Sequence, residues 1–216
     1  MSSKAEIKYV VFDLFGTLVK FGSQHHPFRQ LLKWARENGR QVLADDARNV
    51  MTVNGGVRAI SSALGIDPPA DMVQEIERLI KIELSSLTLF TDVISTLNEL
   101  TALGIKIGIC SNLAQPYGAV IDSLLNDFDL DRFLSYELGA IKPEPQIFES
   151  ILNHYQCAAS ECLFIGDTLE ADYVGPKLVG MNALHLVRFG QVQKHQISSL
   201  QEALEWRKII AEAERG

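Results

Sequence analysis

Four stretches, far apart in the chain, each bring a polar side chain to the end of a short apolar run or to a tight turn. Tyr9-Val10-Val11-Phe12 runs into Asp13, then turns through Gly16 to the hydroxyl of Thr17. Ile107-Gly108-Ile109-Cys110 ends at Ser111 and Asn112. Lys142 stands before Pro143 in Gly139-Ala140-Ile141-Lys142-Pro143-Glu144-Pro145. Leu163-Phe164-Ile165-Gly166 ends at Asp167, and Asp172 follows shortly after. A carboxylate so placed can act as a nucleophile, splitting a hard displacement into formation and hydrolysis of an enzyme ester. Taken singly, each residue has a plainer use: Asp13 and Ser111 as caps of the next turn or helix, Lys142 as a solvated charge. The order and spacing of all four together favour a common site.

Such a site needs strands whose carboxyl ends meet. Five apolar, β-branched runs read as strands: Ile7 to Asp13, Ile105 to Ser111, Arg132 to Glu137, Cys162 to Asp167 and Asn182 to Val187. Amphipathic stretches lie between the later ones, at Asp92 to Leu103, Gln115 to Leu125 and Gln146 to Tyr155. Strands alternating with helices predict an α/β fold, a three-layer Rossmann-like parallel sheet covered on both faces. Residues 22 to 88 carry helical patterns and no convincing strand. Pro27 suits a helix start ahead of Phe28, Leu31, Leu32 and Ala35, and Asp71 suits the cap of a helix burying Met72, Ile76, Leu79, Ile80 and Leu87. Between them lie Asp45 to Met51 and Gly56 to Leu64, with Asn54-Gly55-Gly56 and Asp67-Pro68-Pro69 as breakers. The expected organisation is a core of residues 1–20 and 89–216 with a small helical cap, 21–88, inserted after the first strand. A last amphipathic helix is expected from Ser198 to Glu214, anchored by Leu200, Leu204, Trp206, Ile209 and Ile210.

Composition sets the outer limits. Of 216 residues, 47% are hydrophobic and 22% charged, as in ordinary globular proteins. The net charge is −7, from 20 basic and 27 acidic side chains, with no basic stripe, so neither nucleic acid nor an anionic membrane is an expected partner. No apolar run approaches the roughly 18 residues of a membrane helix. The opening residues lack the pattern of an export signal, and Cys110, Cys157 and Cys162 form no CxxC pair. A cytoplasmic protein with reduced thiols is the expectation, as monomer or homodimer.

The four segments, in this order, resemble the motifs of the haloacid dehalogenase (HAD) superfamily, and the helical insert lies where that family carries its C1-type cap. The resemblance covers most of the chain. It implies a hydrolase with Asp13 as nucleophile, acting on a small phosphorylated molecule. It implies Mg²⁺ held by Asp13, the backbone carbonyl of Phe15 and Asp167, a hard cation on oxygen ligands. Ser111 and Lys142 would grip the phosphoryl oxygens, Asp172 would orient Lys142 or complete the surroundings of the metal, and Thr17 would support the nucleophile loop.

One position departs from the pattern. Most phosphatases of this superfamily have a second Asp two residues after the nucleophile, where this chain has Phe15. That carboxylate normally protonates the leaving oxygen and later activates water, a role worth about 10²–10⁴-fold. An aromatic residue there is similar to the L-2-haloacid dehalogenase branch, in which halide leaves without an acid. Asp167 argues the other way, since metal-free dehalogenases carry Ser at that place. A third branch, phosphonoacetaldehyde hydrolase, uses a cap lysine, and no lysine lies between Lys33 and Lys81. The expected activity is therefore a Mg²⁺-dependent phosphatase preferring good leaving groups. Halide displacement and a catalytically weak binding or regulatory protein stand as alternatives. Further candidates are His25 and His26 as replacement acid, Arg48, Asn54 and Arg58 as cap residues facing substrate, and Asn112 and Gly16 as substrate contacts.

Overall fold

Runs of Val, Ile and Phe too short for a stable helix become strands where neighbouring helices can cover both their faces. In the computed structural model, which describes residues 6–193 and 196–205, the chain begins with β1 (Tyr9–Phe12) and the short β2 (Val19–Lys20). Four helices follow, α1 (Pro27–Glu37), α2 (Asp46–Thr52), α3 (Val57–Ala63) and α4 (Ala70–Ser86). The chain returns through β3 (Thr88–Leu89) to α5 (Val93–Ala102), β4 (Lys106–Ser111), α6 (Ala119–Leu124) and β5 (Leu130–Leu134). It ends with α7 (Ser135–Leu138), α8 (Pro145–Tyr155), β6 (Cys162–Gly166), α9 (Gly175–Leu178), β7 (Asn182–Leu186), β8 (Gln196–Ile197) and α10 (Leu200–Ala203).

The main sheet runs β5–β4–β1–β6–β7–β8 with every pairing parallel. Alternation along each strand divides the core in two. Val10 and Phe12 face a cluster with Ile107, Ile109, Leu163 and Ile165, covered by Val93, Leu97 and Leu100 of α5. Val11 faces the other side with Cys110, Cys162 and Phe164, covered by Ile147, Phe148 and Ile151 of α8. This is the three-layer α/β arrangement expected. Register brings the chemistry together: Phe12 lies opposite both Ile109 and Ile165, so the next residues on all three strands emerge side by side at the carboxyl edge.

Helices α1–α4 lie between β2 and β3, which pair antiparallel with Val19 against Leu89 and Lys20 against Thr88. Exit and return of the chain are thereby clamped together. Leu31 and Ala35 of α1 and Val73, Ile76 and Ile80 of α4 form the buried apolar faces of these helices. Arg40 ties the segment after α1 to the start of α2 and the end of α3: both terminal nitrogens reach Asp46, at 2.7 and 2.5 Å, and Nε donates to the Leu64 carbonyl at 2.8 Å.

Several elements differ from expectation. The third strand is Leu130–Leu134 and not Arg132 to Glu137, because its first residues pair with β4 while Ser135 already starts α7, closed by Gly139 at φ +66°. The stretch Gln115 to Leu125 divides into a 3-10 turn, Gln115–Tyr117, and α6, at Pro116 and Gly118. Asp71 sits inside the first turn of α4, whose capping position is Pro69, and Leu87 lies just past its end. Of the expected final helix, α10 is present, Leu200 is buried and Leu204 packs against the core, while Trp206, Ile209 and Ile210 lie outside the described residues. The cysteines are free thiols; Cys110 and Cys162 are buried and Cys157 is half-buried, its Sγ 3.4 Å from that of Cys162. Among the described residues no helix is long and apolar enough to cross a membrane.

Candidate active site

Asp13 leaves β1 still in register, its amide donating to the Ile165 carbonyl at 2.9 Å. The chain then turns tightly. The amides of Leu18 and Val19 both donate to the Leu14 carbonyl, at 2.9 and 2.8 Å, and Gly16 N–H donates to the Val19 carbonyl at 2.8 Å. Gly16 has φ +85°, and a β-carbon there would lie 2.1 Å from Asp167 Oδ2. Glycine is thus required twice, by the left-handed backbone and by the approach of Asp167.

Lys142 is buried at 4% exposure and uses its ammonium fully. Nζ donates to Asp13 Oδ1 at 2.7 Å, Asp172 Oδ1 at 2.6 Å and the Cys110 carbonyl at 2.9 Å, which matches its three N–H groups. The Phe164 ring centre lies 5.1 Å from Nζ. Asn112 holds the lysine in place: its Nδ2 donates to the Lys142 carbonyl and its Oδ1 accepts from the Lys142 amide, each at 2.8 Å. Both ends of that carboxamide are therefore committed to Lys142. Ser111 Oγ lies 3.3 Å from Asp13 Oδ1. Asp172 returns to the site through a wide π-type turn, Leu169–Val174, and its Oδ2 accepts from the Thr168 amide at 2.9 Å. Gly166 leaves room for it, since a β-carbon there would lie 2.4 Å from Asp172 Oδ2.

One ammonium sits among three carboxylates. Burial is the main influence on Asp13; Lys142 counteracts it and Asp172 reinforces it, and its pKa rises to about 6. Burial, then Asp172, also raises Asp167. Burial alone would lower Lys142, but Asp13 and Asp172 outweigh it and hold the lysine protonated. Asp13, Asp167 and Asp172 each offer an oxygen within 4.8 Å of the others. Crowded carboxylates that oppose one another's ionisation form a donor set that fits a hard divalent cation. Asp167 is positioned from behind, as its backbone carbonyl faces His185 Nε2 at 3.1 Å and Gln196 faces the other ring nitrogen at 2.9 Å.

Beside this cluster the chain is aromatic. Phe15 stacks on Phe21, centroids 4.9 Å apart, and meets the edge of Tyr117 at 6.1 Å. The Tyr117 hydroxyl donates to Glu83 of α4, a buried carboxylate that also accepts from the amides of His25, at 2.5 Å, and His26, at 2.8 Å. In these bonds the two histidines act through backbone, and His26 holds a left-handed φ of 51° at the start of α1. Arg48 pairs with Glu144 at 2.6 Å and donates to the Gly139 carbonyl at 2.8 Å, so it docks α2 onto the Lys142 loop. Ser135 adds a bond to the Met51 carbonyl at 2.6 Å. Arg58 lies exposed on α3 and lines a surface cleft of about 330 Å³ with Ser62, Ile66 and Pro68, none of them part of the Asp13 cluster. Asn54 is exposed in the turn before α3. Thr17 is fully buried, and its Oγ1 has no partner among the described residues.

The structure thus gathers Asp13, Ser111, Lys142, Asp167 and Asp172, with Gly16 and Asn112 shaping their surroundings. Glu83 and Tyr117 escaped the sequence reading. Glu83 could have been found there, since it continues the buried stripe of Ile76 and Ile80 as its single charged member.

Comparison with known proteins agrees with this geometry. A family model described as haloacid dehalogenase-like hydrolase matches residues 7–180. A glyceraldehyde 3-phosphate phosphatase from Methanocaldococcus jannaschii is 23% identical over 219 residues, covering 92% of this chain and 96% of that protein. A ribulose-1,5-bisphosphate 5-phosphatase from Halopiger xanaduensis is 31% identical over 129 residues, 59% of this chain and about half, 54%, of that protein. Among solved structures, a HAD phosphatase from Thermococcus onnurineus superposes with a TM-score of 0.63 at 25% identity, covering 94% of this chain and 98% of that one. The matched family model, spanning the strands that carry Asp13, Ser111 and Asp167, makes this chain a member of the haloacid dehalogenase-like hydrolase family.

Proposed function

We propose that the protein is a Mg²⁺-dependent phosphatase of a small phosphorylated metabolite, with Asp13 as nucleophile and a preference for good leaving groups. The observation that carries this reading is the cluster itself: a buried carboxylate 2.7 Å from a buried ammonium and 3.3 Å from a hydroxyl, within reach of two further carboxylates. The phosphatase names of the relatives support it. Asp13, Asp167 and the Phe15 carbonyl, with Asp172 beside them, are the groups that would hold Mg²⁺, which when bound supplies neutralising charge to the phosphoryl oxygens. Ser111 binds the same oxygens, and the Lys142 ammonium, turning the N–H it gives Asp13 toward them, takes up charge as it builds. A carboxylate oxygen of Asp13 attacks phosphorus, the bond from phosphorus to the leaving oxygen breaks, and that oxygen departs with the electron pair. Water then attacks the phosphorus of the aspartyl phosphate. The bond from phosphorus to the Asp13 oxygen breaks with its electron pair returning to the carboxylate, and the water protons leave with the released phosphate.

Phe15 has no proton to give the departing oxygen. Acyl and aryl phosphates leave without one, so they are the substrates this site handles best. Halide displacement from a 2-haloacid is the second reading; Phe15 favours it, and the metal-suited pair Asp167 and Asp172 opposes it.

A panel of alkyl, aryl and acyl phosphates and 2-haloacids, run with Mg²⁺ and with a chelator, tests both. Phosphate release that requires Mg²⁺ and is fastest with acyl phosphates is expected. Chelator-insensitive halide release would overturn the phosphatase reading, and Mg²⁺ binding without any turnover would make the protein a binding module.

A further inference from the structure

Arg188 follows β7 and reaches back across the fold with a side chain only 9% exposed. One terminal nitrogen donates to Asp92 Oδ2 at 2.6 Å and the other to the Thr17 carbonyl at 2.5 Å. Its guanidinium carbon lies 4.1 Å from the centre of the Phe90 ring. Asp92 Oδ2 also accepts the Leu200 amide at 2.8 Å, and the Phe90 amide donates to the Leu18 carbonyl at 3.0 Å. A single guanidinium therefore joins the loop that carries Asp13, the segment returning from the cap and the start of α10.

Stability does not account for this arrangement. A buried ion pair gains little over an apolar pair of the same shape, because both charges must leave water. Here Arg188 Nε and Asp92 Oδ1 are buried without partners among the described residues, which weakens the pair further. What the pair does achieve is geometric: the planar fork holds a carbonyl and a carboxylate at once in one fixed plane, whereas the donors of a lysine turn about a single bond on a flexible stem.

We infer that Arg188 is a positioning residue for the reaction at Asp13, fixing the Asp13–Thr17 loop against the return segment of the cap through its bonds to Thr17 and Asp92. The catalytic part of this inference rests on the phosphatase reading; the hold on the loop does not. A nucleophile displaced by about 1 Å costs about 10²-fold in rate, whereas substrate grip by Ser111 and Lys142 is untouched.

The test compares Arg188→Lys with the double variant Arg188→Met/Asp92→Asn, which removes both charges yet keeps an acceptor for the Leu200 amide. Three quantities are read: thermal midpoint, hydrogen exchange of the peptide spanning residues 13–19, and kcat and KM on acetyl phosphate with Mg²⁺. The double variant is expected to melt close to the parent while its loop amides exchange about 10-fold faster. Its kcat should fall about 10²-fold with KM within about two-fold, and Arg188→Lys should lie between. Unchanged loop exchange in both variants would overturn the inference, as would a loss of kcat that merely follows loss of folded protein. If the parent fails to turn over acetyl phosphate, the phosphatase reading falls, and the exchange rates alone decide whether Arg188 holds the loop.

Discussion

Returning the missing acid to the nucleophile loop is the most searching perturbation of the proposed chemistry. Phe15→Asp places a carboxyl two residues beyond the nucleophile, in surroundings made by Phe21 and Tyr117. Apolar neighbours disfavour the charged form, so the new group stays protonated closer to neutral pH, as a general acid should. The gain on a substrate with a poor leaving group is about 10²–10⁴-fold in kcat. The cost is two aromatic contacts, each about 0.5–1.5 kcal/mol beyond burial, or about 1–3 kcal/mol together. For a chain of this length that lowers Tm by roughly 2–12 °C. The assay is initial-rate phosphate release from glycerol phosphate and from acetyl phosphate, with Tm measured in parallel. The alkyl substrate should gain at least about 10²-fold while the acyl substrate changes little. Equal gains on both, or none on the alkyl phosphate in a folded variant, would refute the argument that a lost acid limits this enzyme.

Other expectations follow from the same geometry. Gly16→Ala sets a methyl group 2.1 Å from the present place of Asp167 Oδ2, and should weaken Mg²⁺ binding at least about 10-fold by calorimetry while the fold persists; parent-like affinity would remove Asp167 from the cation site. Lys142→Met leaves Asp13 and Asp172 facing each other and buried, and should lose about 3–5 kcal/mol in urea unfolding, so an unchanged midpoint would contradict the charge balance described. Hydrogen bonds from Arg40 hold the Asp46 carboxyl below its ordinary range. The stability this adds is complete above the unfolded carboxylate pKa of about 3.9 and is lost as pH falls through the lower folded value. The acid limb of Tm against pH should therefore flatten in Asp46→Asn, and an identical limb would show that the pair is not linked to folding.

The legible part of this molecule lay where local pattern and tertiary role coincide. Strands β1, β4 and β6 are buried on both faces, so they read as apolar runs, and the polar residues that end them are those the register brings together. Pro27 marked α1 because its missing N–H costs nothing at a helix start. Edge and linker strands were less readable. In β5 the polar pair Asp131-Arg132 hides the beginning of the strand, and β2, β3 and β8 are too short to show a period. Residues that act at long range left the weakest trace. Arg188 meets Thr17 across 171 positions and Arg48 meets Glu144 across 96, and nothing local in the chain distinguishes them from solvated surface charges. Arg58, read with the same chemistry in mind, lies on a surface cleft between α3 and the turn that follows it.

Quenching a single turnover at milliseconds with substrate labelled in its phosphoryl group counts the covalent species, and reducing a parallel sample with tritiated borohydride locates it. Phosphoryl label on the unreduced protein, and tritium in a homoserine at position 13 once reduction has expelled the phosphate, are the predicted results. Turnover at the parent rate with no labelled protein at any time, or in an Asp13→Asn variant, would contradict an aspartyl intermediate.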